Sequence, residues 1–265
     1  MLKMRSPSAS AAPWGWALAG ALTGLLLATV VFAPARWLAA AVHQLSGEQI
    51  RLLAPRGSVW RGTAQLVLSG GEGSRDAMAL PGQLSWHIRP SWRGLVAQLS
   101  ADCCISRALE VSLAPAGWRG LRVTLADGQS QWPASLLAGL GTPWNTLQPR
   151  GRLTALTTGF YAEWVQGQLS LSGRVQLDAT QISSRLSTLQ PMGSYRLTLQ
   201  GGATPTLRLE TLEGSLQLTG QGQWVGQRLR FDGIASAAPE RVEALSNLLN
   251  IIGRRNGART VITVG

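Results

Sequence analysis

Lysine, histidine and cysteine are scarce in this chain, and each shortage removes a class of chemistry. The 265 residues hold two histidines, His43 and His87, two cysteines, and a single lysine at position 3. A P-loop is therefore excluded, because its closing lysine has to stand beside the phosphates. Neither a His-Glu-x-x-His helix nor a Gly-x-Ser-x-Gly elbow occurs, which removes zinc-protease and α/β-hydrolase readings. The cysteines, Cys103 and Cys104, are neighbours and cannot supply a four-ligand zinc site of ordinary spacing. Adjacent Cα atoms lie about 3.8 Å apart, short of the roughly 4.4 Å at which ordinary disulfides begin. In a strand the two side chains would also point to opposite faces. They are read as two small packing residues, with an intermolecular disulfide as the alternative in an oxidising compartment.

Charge is sparse too. Only 14% of residues are charged, and the formal net charge is +11. The excess is nearly all arginine, spread singly except for Arg254-Arg255. A nucleic-acid binder more often shows a basic stripe or a recognisable module. The arginines are read as solvated strand faces, with attraction to anionic lipid or an acidic partner as the second reading. Glu210 and Glu213 are close in sequence but read as strand-end charges, not a hydrolase pair held across a cleft. Gly220-Gln221-Gly222-Gln223-Trp224-Val225-Gly226 superficially resembles a dinucleotide loop, yet its third glycine falls one place late and strand pattern follows; it reads as a hairpin turn. The expectation is a protein with no enzyme activity, no cofactor and no metal.

What the chain does have begins with residues 14–33, twenty residues without a charge. As a helix they would be about 30 Å long, the thickness of a bilayer's hydrocarbon. Trp14, Trp16, Leu25, Leu26, Leu27, Val30, Val31, Phe32 and Trp37 are the expected anchor residues, with tryptophans at both ends where amphipathic rings prefer the headgroups. Lys3 and Arg5 precede the run and Arg36 alone follows it closely, so the positive-inside bias places the N-terminus in the cytoplasm and the remainder across the membrane. A cleaved signal peptide is the competing reading, through the small-x-small form of Ala33-Pro34-Ala35. The run is longer than a signal's apolar core and carries a proline inside that site, so an uncleaved anchor is preferred.

The expected organisation is a disordered cytoplasmic tail over 1–13, the span at 14–33, a membrane-proximal helix at 34–49 and a β domain at 50–265. The apolar stripe of 34–49 could rest on headgroups or on a partner's helix. About 215 residues after the span suffice for one large or two small β domains. With 31 glycines and 11 tryptophans the composition suits many short strands with glycine turns. Leu or Val alternates with Arg, Gln, Ser or Thr over 63–68, 82–88, 121–125, 168–171, 174–177, 195–199, 206–209, 215–218 and 228–231, the pattern of antiparallel sheets with one wet face. Trp60-Arg61-Gly62, Trp92-Arg93-Gly94, Trp118-Arg119-Gly120 and Trp224-Val225-Gly226 stand where strands should meet. They read as turn signatures in which the ring covers the hairpin's apolar face.

Their unequal spacing excludes a fixed-period repeat. Residues 133–140 could form a helical turn or two, within a break that separates possible halves 50–130 and 149–265. Pro239, two glutamates and the stripe Val242, Leu245, Leu249, Ile252 predict a C-terminal amphipathic helix ending at Gly253, then strand over 260–264. The fold expected is all-β, a long antiparallel hairpin meander, as one curved sheet or two quasi-repeated halves, with one C-terminal helix and one N-terminal transmembrane helix.

Four stretches, taken with the anchor, resemble a known family: Leu80-Pro81-Gly82-Gln83-Leu84-Ser85-Trp86, Pro191-Met192-Gly193-Ser194-Tyr195-Arg196-Leu197, the run from Gly220 to Phe231, and the closing run from Leu248 to Gly257. Together they are similar to the N protein of the type II (general) secretion pathway. The resemblance implies an inner-membrane component of a Gram-negative bacterium, with its bulk in the periplasm, supporting export of folded proteins across the outer membrane. Its implied partners are other secretion subunits, with the secreted cargo as a further candidate, met through exposed strand edges. It brings no catalytic residues. The alternative function is an AsmA-like lipid-binding or lipid-transfer protein whose apolar concave face holds acyl chains.

Overall fold

The computed structural model describes residues 14–226, 228–256 and 259–264. The tail read as disordered, 1–13, lies outside the described residues. Helix α1 (Trp14–Val31) is uniformly apolar and wholly exposed, long and apolar enough to cross a membrane. It stops just short of Pro34, which has no N–H to continue it. Helix α2 (Ala35–Leu45) follows directly.

The strands are β1 (Ile50–Gly57), β2 (Arg61–Ser69), β3 (Ala77–Ala79), β4 (Leu84–Ser91), β5 (Gly94–Ala101), β6 (Ile105–Ala116), β7 (Gly120–Leu125), β8 (Gly128–Pro133), β9 (Arg150–Val165), β10 (Gln168–Ser183), β11 (Gly193–Gly202), β12 (Thr206–Gly214), β13 (Leu216–Val225), β14 (Arg228–Ala237), β15 (Arg254–Asn256) and β16 (Arg259–Val264). A 3-10 helix (Ala134–Leu140) and the short α3 (Trp144–Leu147) fill the break before β9; a 3-10 turn (Pro239–Arg241) and α4 (Val242–Ile252) precede β15.

Among the described residues all sixteen strands belong to one curved antiparallel sheet, in the order β1-β2-β4-β5-β6-β7-β9-β10-β11-β12-β13-β14-β16-β15. Two strands lie off this path. Residues 61–64 of β2 pair with β4 and residues 67–69 with β3, so β3 and β4 run along the same strand one after the other. In the same way β9 takes β7 at 161–164 and β8 at 152–157. The sheet continues unbroken through the β7–β9 pair, and the stretches either side of the break share one ladder.

The alternation read from sequence sets the faces. In register across the sheet, Leu177, Leu197 and Leu209 form one inner row, while Asp178 and Arg196 pair on the outer face beside them. Arg196 donates from Nε to Asp178 Oδ1 at 2.7 Å and from Nη2 to Oδ2 at 2.9 Å. That fork holds the Asp178 carboxyl below its usual range, opposed by partial burial and helped by Gln176 Nε2 at 3.2 Å. A carboxyl with a depressed folded pKa stabilises above its unfolded value of about 3.9 and loses that contribution as pH falls through the folded value. Asp178→Asn is accordingly expected to cost a few tenths to about 1 kcal/mol at neutral pH. In urea titrations across a pH series, the gap from the parent closes below about pH 4.

The inner face is covered in three places. Ala35 of α2 packs on Ala64 and Trp86, with Leu38 and Leu52 beside them. The 3-10 helix sets Leu136 against Leu80, Ala101, Cys104 and Ile105. Helix α4 buries Leu245, Leu248 and Leu249 against Met192, Tyr195, Leu216 and Ala235. Full burial of each leucine is worth about 1.5–3 kcal/mol, so this stripe, not helix propensity, holds α4 in place.

One expectation is overturned here. Cys103 and Cys104 are joined to each other by a disulfide. They sit in the turn between β5 and β6, where the alternation of a strand does not drive neighbouring side chains to opposite faces. Cys104 is nonetheless a core residue, buried with Leu80 and Ile105.

Candidate functional site

Two regions concentrate features that folding alone does not require. The first is an apolar cavity of about 640 Å³. Its walls are the inner rows of β9 to β14 and β16, represented by Leu153, Leu177, Leu197 and Leu218, and it is roofed by α3 and α4 through Leu147, Leu248 and Ile252. Trp144 and Ile251 line it while remaining 38% and 44% exposed, so the chamber reaches the surface between the two helices. Among the described residues Arg254 is the one charged side chain that lines it. The volume falls within the roughly 300–1,000 Å³ of ordinary ligand pockets.

The glycines of 220–226 explain part of this wall, and they correct the reading of that segment as a turn. Gly220 and Gly222 lie inside β13, and Gly226 alone enters the turn. A Cβ on Gly220 would collide with the Phe231 ring, and one on Gly222 or Gly233 would come within 3.1 or 3.0 Å of it. The ring lies across three bare backbones, an aromatic covering glycine in a strand.

Tyr195 also lines the chamber, 7% exposed, with its hydroxyl against Gly193 and no hydrogen-bond partner among the described residues. Burial pushes its phenol pKa up. An unpaired buried hydroxyl costs about 1–3 kcal/mol, so Tyr195→Phe is expected to leave stability unchanged or raise it by up to that amount. A rise in thermal midpoint checks this; a drop would mean the hydroxyl holds a partner.

The second region is the end of the sheet where α1 arrives. Val59 N–H donates to Ala33 O at 2.8 Å, and the Trp60 indole Nε1 donates to Val30 O at 2.8 Å. Pro34 bridges to Ser58, and Ala33 and Ala35 are buried. The C-terminal end of α1 is thus bonded to the first hairpin without an intervening linker. Of the expected anchor residues, Trp14, Trp16, Leu25, Leu26, Leu27, Val30 and Val31 lie on α1, Phe32 follows it and Trp37 belongs to α2; all are exposed.

Trp60 stands in the β1–β2 turn with Gly62 just inside β2, under the ring of Trp86. Trp92 and Arg93 form the β4–β5 turn before Gly94, and Trp118 lies in the β6–β7 turn before Gly120. Trp224 is the last residue but one of β13 and Gly226 the first of its turn. The rings of Trp92 and Trp118 do not fold over their hairpins: they are 105% and 97% exposed. Glycine is needed at 94 and 120 because a Cβ would strike the carbonyls of Leu113 and Ala116.

The residues considered for chemistry have structural partners. His87 Nε2 accepts from Arg61 Nε at 3.1 Å, His43 lies 3.8 Å from Glu48, and Glu213 accepts from Ser194 Oγ at 3.0 Å. Glu210 stands opposite Arg196 in the ladder. Among the described residues no group of three His, Cys, Asp or Glu side chains could hold a metal ion.

A single helix long and apolar enough to cross a membrane, bonded to a long β meander, is an arrangement compatible with a single-pass membrane protein. Residues 48–263 match the family described as type II secretion system (T2SS), protein N, and the chain belongs to that family. No curated protein and no solved structure matches it. Membership makes the chain a component of a type II secretion system, acting with that system's other components.

Proposed function

We propose that the chain is a non-catalytic, inner-membrane component of the type II secretion system. In this reading α1 crosses the membrane with the N-terminus in the cytoplasm, and the sheet, in the periplasm, supports export of folded proteins across the outer membrane by binding other secretion subunits. The observation that carries it is the family match combined with the bonded junction at Ala33 and Val59. A sheet joined to its span through hydrogen bonds and a packed Ala35 holds a set attitude to the bilayer, as a docking platform must.

The test has two parts. A reporter enzyme active only after export, fused after Gly265, is expected to be active, and a silent reporter refutes the orientation. Crosslinking in membranes is expected to recover other inner-membrane secretion subunits. Recovery of none, with secretion intact in a deletion strain, refutes the docking role.

The chamber favours a second reading, lipid binding, through its apolar lining and its volume. Lipid extracted from the purified full chain and measured by mass spectrometry supports it at near one equivalent per chain. A lipid-free chain removes it.

A further inference from the structure

The strand order places the tryptophan-bearing turns together. In an antiparallel path every second turn faces the same way, and β3 and β8 do not disturb the count because they lie along β2 and β9 beside β4 and β7. The β1–β2, β4–β5, β6–β7, β9–β10, β11–β12 and β13–β14 turns therefore share one end of the sheet. This is also the end that α1 enters, since Pro34 pairs with Ser58 in the β1–β2 turn. Trp60-Arg61, Trp92-Arg93 and Trp118-Arg119 thus stand in a row beside the span, and Leu95, Leu121 and Trp164 add exposed apolar surface just behind them. No acidic residue occurs in these turns. The opposite end carries Glu48, Glu72, Asp76, Asp102 and Glu240, together with Arg75, Arg185 and Arg241.

We propose that this rim seats on the bilayer surface, with Trp92 and Trp118 at headgroup level and Arg61, Arg93 and Arg119 on the phosphates of anionic phospholipid. Two fully exposed tryptophans in neighbouring turns leave two large apolar rings unburied at one end of the sheet. Such a ring, apolar with one polar edge, suits the membrane interface. Arginine forks match phosphate oxygens, and a basic surface near the membrane gains from anionic lipid. The junction at Val30, Ala33 and Val59 keeps the rim close to the level at which α1 leaves the hydrocarbon. The seat would set the tilt of the whole sheet, and with it the direction in which the chamber opens.

The inference rests on α1 spanning the membrane. For the test, full-length chains carrying Trp92→Cys, Trp118→Cys or, as the far-end control, Glu72→Cys are labelled with a polarity-sensitive fluorophore without reductant, so that the Cys103–Cys104 bond stays closed. They are reconstituted in phosphatidylcholine vesicles with and without phosphatidylglycerol, together with a quencher-bearing lipid. Quenching at 92 and 118 is expected to exceed that at 72 several-fold and to increase with phosphatidylglycerol. Arg93→Glu with Arg119→Glu is expected to abolish that increase while circular dichroism stays unchanged. Probes at 92 and 118 as wet as the one at 72, or shielded only after other secretion subunits are added, would overturn the proposal. Flotation separates the two levels: a chain that does not float with vesicles refutes the span itself, whereas a floating chain with wet rim probes refutes the seat alone.

Discussion

Leu245→Ala lowers the stability of the β body by about 2–5 kcal/mol, the range for removing a fully enclosed leucine. Leu245 has no exposure and lies at the centre of the stripe that fastens α4 to Met192, Tyr195, Leu216 and Ala235. The site has little ability to close over the lost atoms, because the 640 Å³ chamber adjoins the same helix and the new void can merge with it. The loss appears as a lower urea midpoint with an unchanged slope. Asn247→Ala, on the exposed side of the same helix, changes stability by no more than about 0.5 kcal/mol. Equal effects from the two substitutions would show that α4 is not held by this stripe.

The other large effect is expected at Gly220. In an ordinary strand, valine in place of glycine adds favourable β propensity, on a scale spanning about 1 kcal/mol. Here the added Cβ meets the Phe231 ring, which then has to shift toward the chamber. Gly220→Val is therefore expected to destabilise by about 1–3 kcal/mol, the usual cost of overpacking. It is also expected to reduce any lipid that co-purifies with the chain. A double-mutant cycle makes the cause explicit: in a Phe231→Ala background the valine should cost little or become favourable. An undiminished penalty there would place the strain elsewhere.

Legibility followed the chemistry of alternation. Strands β2, β4, β7, β12 and β14 were readable because Leu or Val alternates with polar residues along one half-buried face. The two stretches 168–171 and 174–177 are one strand, β10, carried past Gly173, which takes φ +79° directly above Gly159. A glycine that reads as a turn locally is a bulge when the neighbouring strand supplies its partner. Strand β9, of equal length, was missed because Thr, Ala and Gly blur its period. The glycines of β13 misled for the same reason: their purpose, accommodating Phe231, lies nine and eleven residues away across a hairpin. The vicinal disulfide was misjudged because its placement in a turn was not readable from the two residues themselves.

By itself the sequence determined an apolar helix at the start, a period-two body, a leucine-striped helix near the end and recurrent Trp-x-Gly turns. These follow from local periodicity and backbone preference. Only the tertiary structure decided that the Trp-Arg turns share the end where the helix enters, that one sheet encloses an apolar chamber, and that three glycines carry one ring. Each depends on which strands pair and on the parity of turns along the sheet, and pairing is a long-range property that no window of neighbouring residues contains.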